Sequence, residues 1–199
     1  MKKKAIRKYL IEAFLIVFSV SLALFLNKIF EDKKVRKQQR IARESLVREL
    51  THNLRVTEEI LPLHKSVLKR VDSLSSVPAA SGLYENKHFD LSRLTNGKSL
   101  MRELLTSTAW ETARSTGIIA EFDYNKVEIL TNVYALQDVI LDKTMGGLVE
   151  LFFKPETHDP INIEATLLQL KLRFNELVGQ EYLLIESYNL ALKDLEKRK

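Results

Sequence analysis

The stretch from Tyr9 to Phe30, YLIEAFLIVFSVSLALFLNKIF, constrains this chain more than any other feature. Its central 14 residues, Ala13 to Leu26, carry no charge, and cation clusters stand on both sides. At about 1.5 Å per residue those 14 cover roughly 21 Å, short of the roughly 30 Å hydrocarbon core of a bilayer. All 22 residues reach roughly 33 Å if Glu12 and Lys28 sit near the two interfaces and extend their charged tips toward water. A membrane span over 9–30 is therefore expected, with Tyr9 and Phe30 at its edges. Lys2, Lys3, Lys4, Arg7 and Lys8 before it, and Lys33, Lys34, Arg36 and Lys37 after it, are placed to meet anionic headgroups. Two alternatives use the same residues. A cleaved signal peptide shares the basic start, with Ser21-Leu22-Ala23 as a small-residue site, but the apolar run continues past it. A buried core helix is seldom bracketed by cations at both ends.

Charge sorts the chain into two parts. Of 31 Lys plus Arg and 26 Asp plus Glu, residues 1–43 hold twelve cations and three acids. That segment carries +9 and the remainder −4, which together make the formal +5. The excess lies around one apolar run rather than over a domain, which argues for a lipid surface and against nucleic acid as the electrostatic partner. Orientation rests on a near tie of five flanking cations against seven. A short, strongly cationic tail crosses poorly, whereas a long following domain translocates largely regardless of charge, so the expected placement of the helical domain is extracytoplasmic (periplasmic).

The absence of Cys excludes a disulfide framework, a thiol nucleophile and Cys-ligated metal, and six Gly leave little room for a glycine-rich phosphate loop. After the span no Gly or Pro occurs before Pro62, and the helix is expected to continue out of the membrane. Val47, Leu50, Leu54, Thr57, Leu61, His64, Leu68 and Val71 follow alternating spacings of three and four, the mark of a packed helical seam. Pro62 falls inside it and is expected to kink or split the helix near Leu61. Residues at about 74–98 read as a loop. Ser99 is expected to cap a short helix, and Thr108 with Glu111 forms a capping-box pattern before a helix that Gly117 ends. Another helix is expected from Asp123 or Asn125 to about Lys143, stopped by Gly146 and Gly147, followed by an apolar run too short to stand alone. The last segment carries the cleanest pattern: Ile163, Leu167, Leu170, Phe174, Leu177, Glu181, Leu184, Tyr188, Ala191 and Leu195 repeat at four and three, and Glu181 alone is not apolar.

These readings give an all-α chain: a transmembrane helix continuing into a long helix, then an antiparallel bundle with coiled-coil-like packing. Its parts are a basic tail (1–8), the span (9–30), a basic juxtamembrane helix (31–43) and a bundle domain (44–199). Four His occur without a metal-ligand spacing, and no His-Glu-x-x-His pair is present. His64 with Thr57 puts polar groups on the first seam, where they fix register or respond to pH. Glu181 on the second seam reads either as a cation's partner or as the acid of a ligand pocket. Glu156, His158 and Asp159 read as a solvated turn before they read as a cation site. Trp110, with Glu111 and Arg114 nearby, reads as a core anchor or as a pocket wall.

Two elements carry a family resemblance. Ile11-Glu12, Leu26-Asn27 and Phe30 at the span, and Ala109-Trp110-Glu111 with Thr116-Gly117 further on, resemble a family of uncharacterised bacterial proteins with one N-terminal membrane helix, a domain of unknown function. The family's span runs Gly-Glu, aliphatic residues, Ile-Asn and a Trp, and Ile11 and Phe30 depart from that pattern. The resemblance covers about the first 50 residues and 106–134. It implies membrane anchoring and helical architecture and transfers no activity. The expected function is a membrane-anchored, noncatalytic interaction or scaffold protein without cofactor or metal, whose partners are the bilayer and a protein partner or second copy. The alternative is a ligand-sensing bundle using Trp110, Glu111, Arg114 and Glu181.

Overall fold

The structure, a computed structural model, describes residues 2–74 and 80–197, with side chains described for Glu12, 14–74 and 82–197. One helix, α1 (Lys2–Leu74), runs without interruption for 73 residues, about 110 Å at 1.5 Å per residue. Pro62 lies inside it on the exposed side and does not split it. The packing of Leu61 and His64 on either side holds the turn that a missing N–H would otherwise weaken. From Phe14 to Leu26 the apolar side chains are exposed on every side of α1, and among the described residues this is the one helix long and apolar enough to cross a membrane.

Three helices carry most of the core. α6 (Ile163–Glu196) lies antiparallel to α1, as three contacts at successive heights record. Arg43 reaches the Leu195 carbonyl, Lys65 donates to the Tyr182 hydroxyl at 2.7 Å, and Lys171 pairs with Asp72. α4 (Tyr124–Asp138) is antiparallel to α6: Lys126 donates to the Asp194 carbonyl at 3.0 Å, and Tyr188 donates to Gln137 at 2.7 Å. The buried face of α6 follows the expected stripe from Leu167 to Leu195, with Thr166 and Asp194 added beside it. On α1 the seam is turned slightly from the expected one. Leu50, Thr57, Leu61, His64 and Val71 are buried as predicted, but Leu46, Asn53, Ile60 and Val67 are buried beside them, while Val47, Leu54 and Leu68 are only partly buried. Asn53 at the centre of the real seam hid it from an apolar template.

The connection between α1 and α4 departs from expectation at several points. The loop contains a short antiparallel hairpin, β1 (Tyr84–Glu85) with β2 (His88–Phe89), whose two turn residues Asn86 and Lys87 both have positive φ, the backbone of the tight hairpin turn. A one-turn helix, α2 (Ser92–Thr95), ends in the left-handed Asn96 and Gly97. No helix follows Ser99; its hydroxyl closes a local turn on Met101, donating to the carbonyl at 2.7 Å. α3 (Thr108–Ser115) starts one residue earlier than the capping-box reading requires, with Ser107 at its N-cap, and Gly117 beyond its end takes φ +72°. Gly146 and Gly147 do not stop the helix after α4. The chain passes through a π-helical segment, Val139–Met145, straight into α5 (Gly146–Phe153). Gly146 keeps ordinary helical backbone at φ −55°, and the Arg173 guanidinium lies over Gly147, in the space that a side chain there would share with it.

Candidate functional site

Between α2 and α3 the chain has no regular structure from Lys98 to Ser107, so its backbone groups need partners from elsewhere. α1 supplies them with polar side chains at descending heights. Arg70 donates to the Leu94 carbonyl at 2.7 Å, His64 contacts the Leu100 carbonyl at 2.9 Å, and His52 contacts that of Leu104 at 3.3 Å. Asn53 grips Thr106 with both ends of its amide, accepting from its N–H at 2.9 Å and donating to its carbonyl at 2.7 Å. Arg55 pairs with Glu103 at 2.5 Å on the surface. The connecting segment is thus laid along α1 by hydrogen bonds, with Leu100, Met101 and Leu105 packed against the core beside them.

Glu49 completes the series and does the work that the Thr108–Glu111 pattern was expected to do. Its carboxylate accepts the N–H groups of Ala109 at 2.8 Å and Trp110 at 3.2 Å, the second and third residues of α3, where a capping side chain normally binds. Tyr134 donates to the same carboxylate at 2.6 Å. Burial, and then the Glu49 carboxylate, push the Tyr134 hydroxyl well above tyrosine's usual value. Tyr188 is raised too, chiefly by burial. Glu111 itself lies exposed and accepts from the Ser107 hydroxyl at 2.8 Å.

The residues singled out from sequence fall in two places. Trp110 is buried, stacked on Tyr134 with centroids 5.1 Å apart, and Arg114 lies 5.7 Å above its ring. Glu181 lies elsewhere, 4% exposed, with Oε1 2.7 Å from Nδ1 of His64, itself 2% exposed. Two polar interruptions of two seams, 117 residues apart, are therefore each other's partner. They line a cavity of about 250 Å³ between α1, residues 100–105, the π-helical segment and α6, and none of Trp110, Glu111 and Arg114 borders it.

Of the residues flanking the apolar stretch, Glu12, Lys28, Lys33, Lys34, Arg36 and Lys37 are exposed, while the side chains of Lys2, Lys3, Lys4, Arg7 and Lys8 lie outside the described residues. Arg36 also borders a surface hollow with Arg40, Arg43, Lys126 and Lys197, at the end of the bundle nearer the apolar stretch. His158 is committed to backbone: it accepts from the Phe89 N–H at 3.1 Å and contacts the Phe152 carbonyl at 2.8 Å. Among the described residues no group of three or more His, Asp or Glu is arranged to hold a metal ion.

No protein-family model matches the chain, and no curated protein or solved structure matches it. The chain is a mostly helical domain with one candidate N-terminal membrane-spanning helix.

Proposed function

We propose that this protein is a membrane-anchored, noncatalytic helical interaction module. The observation that carries the reading is the continuity of α1: one helix begins as an apolar rod exposed on all sides and ends as the central wall of a bundle. A rod of that kind has no reason to be apolar all round in water, and in a bilayer it satisfies its own backbone. No break intervenes, so the helix holds the bundle at a set height above the lipid. In this reading Lys28, Lys33, Lys34, Arg36 and Lys37 neutralise headgroups, and the two alternating seams pack as in a coiled coil. The protein-facing partner is a second copy of the chain or another membrane protein, and the bundle lies on the extracytoplasmic side.

Two measurements test this. After carbonate washing, the full chain is expected to remain with the membrane pellet, and release into the supernatant overturns the anchor. In mild detergent, sedimentation is expected to give a species larger than the monomer. A strict monomer that also retains no partner on purification from native membrane overturns the interaction role.

A further inference from the structure

Three buried polar clusters line α1, and one differs from the other two. Both oxygens of Glu49 are engaged, and Asn53 and Gln137 bond each other, Thr106 and Tyr188. Glu181 has its Oε1 on His64, while its Oε2 is fully buried and has no hydrogen-bond partner. Buried polar atoms are paired as a rule, and a carboxylate oxygen left over in an apolar stripe needs a reason. Asp194 Oδ2 shares the condition, but Asp194 sits by Lys197 at the end of α6 and borders no cavity of this kind. Glu181 borders the cavity of about 250 Å³.

The protons around this oxygen can be assigned from geometry. His64 Nε2 faces the Leu100 carbonyl at 2.9 Å, which only accepts, so Nε2 carries hydrogen. Nδ1 lies 2.7 Å from Glu181 Oε1, a separation that requires a proton between them. Whichever atom holds that proton, the pair has no net charge, and its unpaired oxygen offers a lone pair. The other acids at the cavity, Glu59 and Glu103, are both paired with Arg55, and Arg102 at the rim adds a positive charge. Nothing here favours a cation. Ile60, Leu100, Ile140, Met145, Leu177 and Leu184 supply apolar walls. Part of that wall, Ile140 to Met145, is π-helical, and such widened turns occur often at functional sites.

We propose that this cavity binds a small uncharged molecule with an apolar body of about ten non-hydrogen atoms and one O–H or N–H group that donates to Glu181 Oε2, the carboxylate turning that oxygen, which has no open surface in the structure, toward the cavity as the molecule enters. The site is distinct from Trp110, Glu111 and Arg114, and it is independent of whether the bundle binds a protein partner. The size follows by scaling from the cavity of about 150 Å³ that holds benzene.

The test uses the full chain in lipid nanodiscs, titrated with p-cresol, with 4-methylanisole, whose hydroxyl is methylated, and with benzylamine as a cationic analogue. Saturable stabilisation by p-cresol is expected, with an affinity at least about tenfold above that of 4-methylanisole, the ratio for one hydrogen bond to a buried acceptor. His64→Leu with Glu181→Leu replaces the hydrogen-bonded pair by apolar residues of similar size, a change that bundles commonly tolerate, and is expected to abolish the preference. Leu141→Trp, on the partly exposed wall, is expected to abolish binding of both aromatic probes, and it reports on the site even where the double variant does not fold. For one probe, lipid partitioning is the same for every variant and cancels; between probes it differs, so each affinity is referred to the free aqueous concentration measured with empty nanodiscs. Equal affinities for p-cresol and 4-methylanisole, no saturable effect of either, a preference that survives the double variant, binding unaffected by Leu141→Trp, or a tighter fit for benzylamine each overturn the proposal.

Discussion

The two halves of α1 have the same backbone and opposite uses for their side chains. From Phe14 to Leu26 apolar residues cover the whole circumference and all are exposed. From Leu46 to Val71 they are confined to one stripe, and that stripe is interrupted by Glu49, Asn53, Thr57 and His64, all buried. The comparison shows that hydrophobicity alone does not mark the buried part of this helix. The first half has the greater apolar density and packs on nothing in the fold. The second half is held in place by apolar contacts and by polar groups that each have a specific destination.

Matched truncations break this comparison most directly. Leu50→Ala removes a fully buried side chain between α1 and the core and is expected to destabilise the bundle by about 2–5 kcal/mol in urea unfolding. Leu24→Ala, the same chemistry in the first half, is expected to change bundle stability by less than about 0.5 kcal/mol. A comparable loss at Leu24 would mean that the apolar stretch packs on protein. Next in size is Glu49→Ala, which leaves the Ala109 and Trp110 N–H groups and the Tyr134 hydroxyl without their shared acceptor. A loss of about 3 kcal/mol is expected, with a change in Trp110 fluorescence, and Glu49→Gln is expected to recover part of it because an amide oxygen still accepts. Equal stability of Glu49→Ala and the unsubstituted protein would reduce the polar contacts of α1 to ornaments of an apolar core.

How much of this was legible beforehand follows from the same contrast. The α6 stripe was readable from Leu167 to Leu195, because an apolar seam in a helix whose other faces are polar has one interpretation. On α1 the template lies one position off at Val47, Leu54 and Leu68 while Leu61 is buried as expected, since Asn53 looks like a surface residue until its partners are known. Gly146 and Gly147 read as a stop, but glycine also takes ordinary helical backbone, and the Arg173 side chain that lies over Gly147 comes from another helix. The cavity was half legible. His64 and Glu181 each stood out as a polar break in a seam, but nothing in local spacing pairs residues so far apart in the chain. Glu49 gave no signal, because an acid that caps a distant helix is indistinguishable in sequence from a solvated one.

For the first half of α1 the sharper probe is insertion. Leu22→Arg places a charge near the centre of the apolar stretch and is expected to weaken membrane insertion by about 2.5–3.5 kcal/mol, seen as a shift of the chain into the soluble fraction. Thermal unfolding of the bundle is expected to stay unchanged. If Leu22→Arg unfolds the bundle without moving the chain out of the membrane fraction, the roles of the two halves are reversed.

The smallest effect tests whether the polar contacts in the second half are energetically coupled to burial. Tyr134→Phe removes the donor to Glu49 while keeping the ring that stacks on Trp110, and a loss of about 1.5 kcal/mol at neutral pH is expected. The variant also changes how stability depends on pH. The folded protein holds the Tyr134 proton above tyrosine's ordinary value of 10.0, chiefly because burial disfavours the phenolate and next because Glu49 accepts its hydrogen bond. Between that value and the raised one, the unfolded chain has released a proton that the folded chain keeps. Stability from this group is therefore present in full below about pH 10 and falls as pH rises further, by about 1.4 kcal/mol per unit. Tyr188, raised by its own burial, adds a second decline of the same sign. In urea titrations above pH 10 the unsubstituted protein is expected to lose stability more steeply than Tyr134→Phe, by one proton's worth of slope. Parallel slopes would show that Tyr134 ionises as readily in the fold as in the unfolded chain, and the Glu49 contact would then be too loose to act as the anchor of α3.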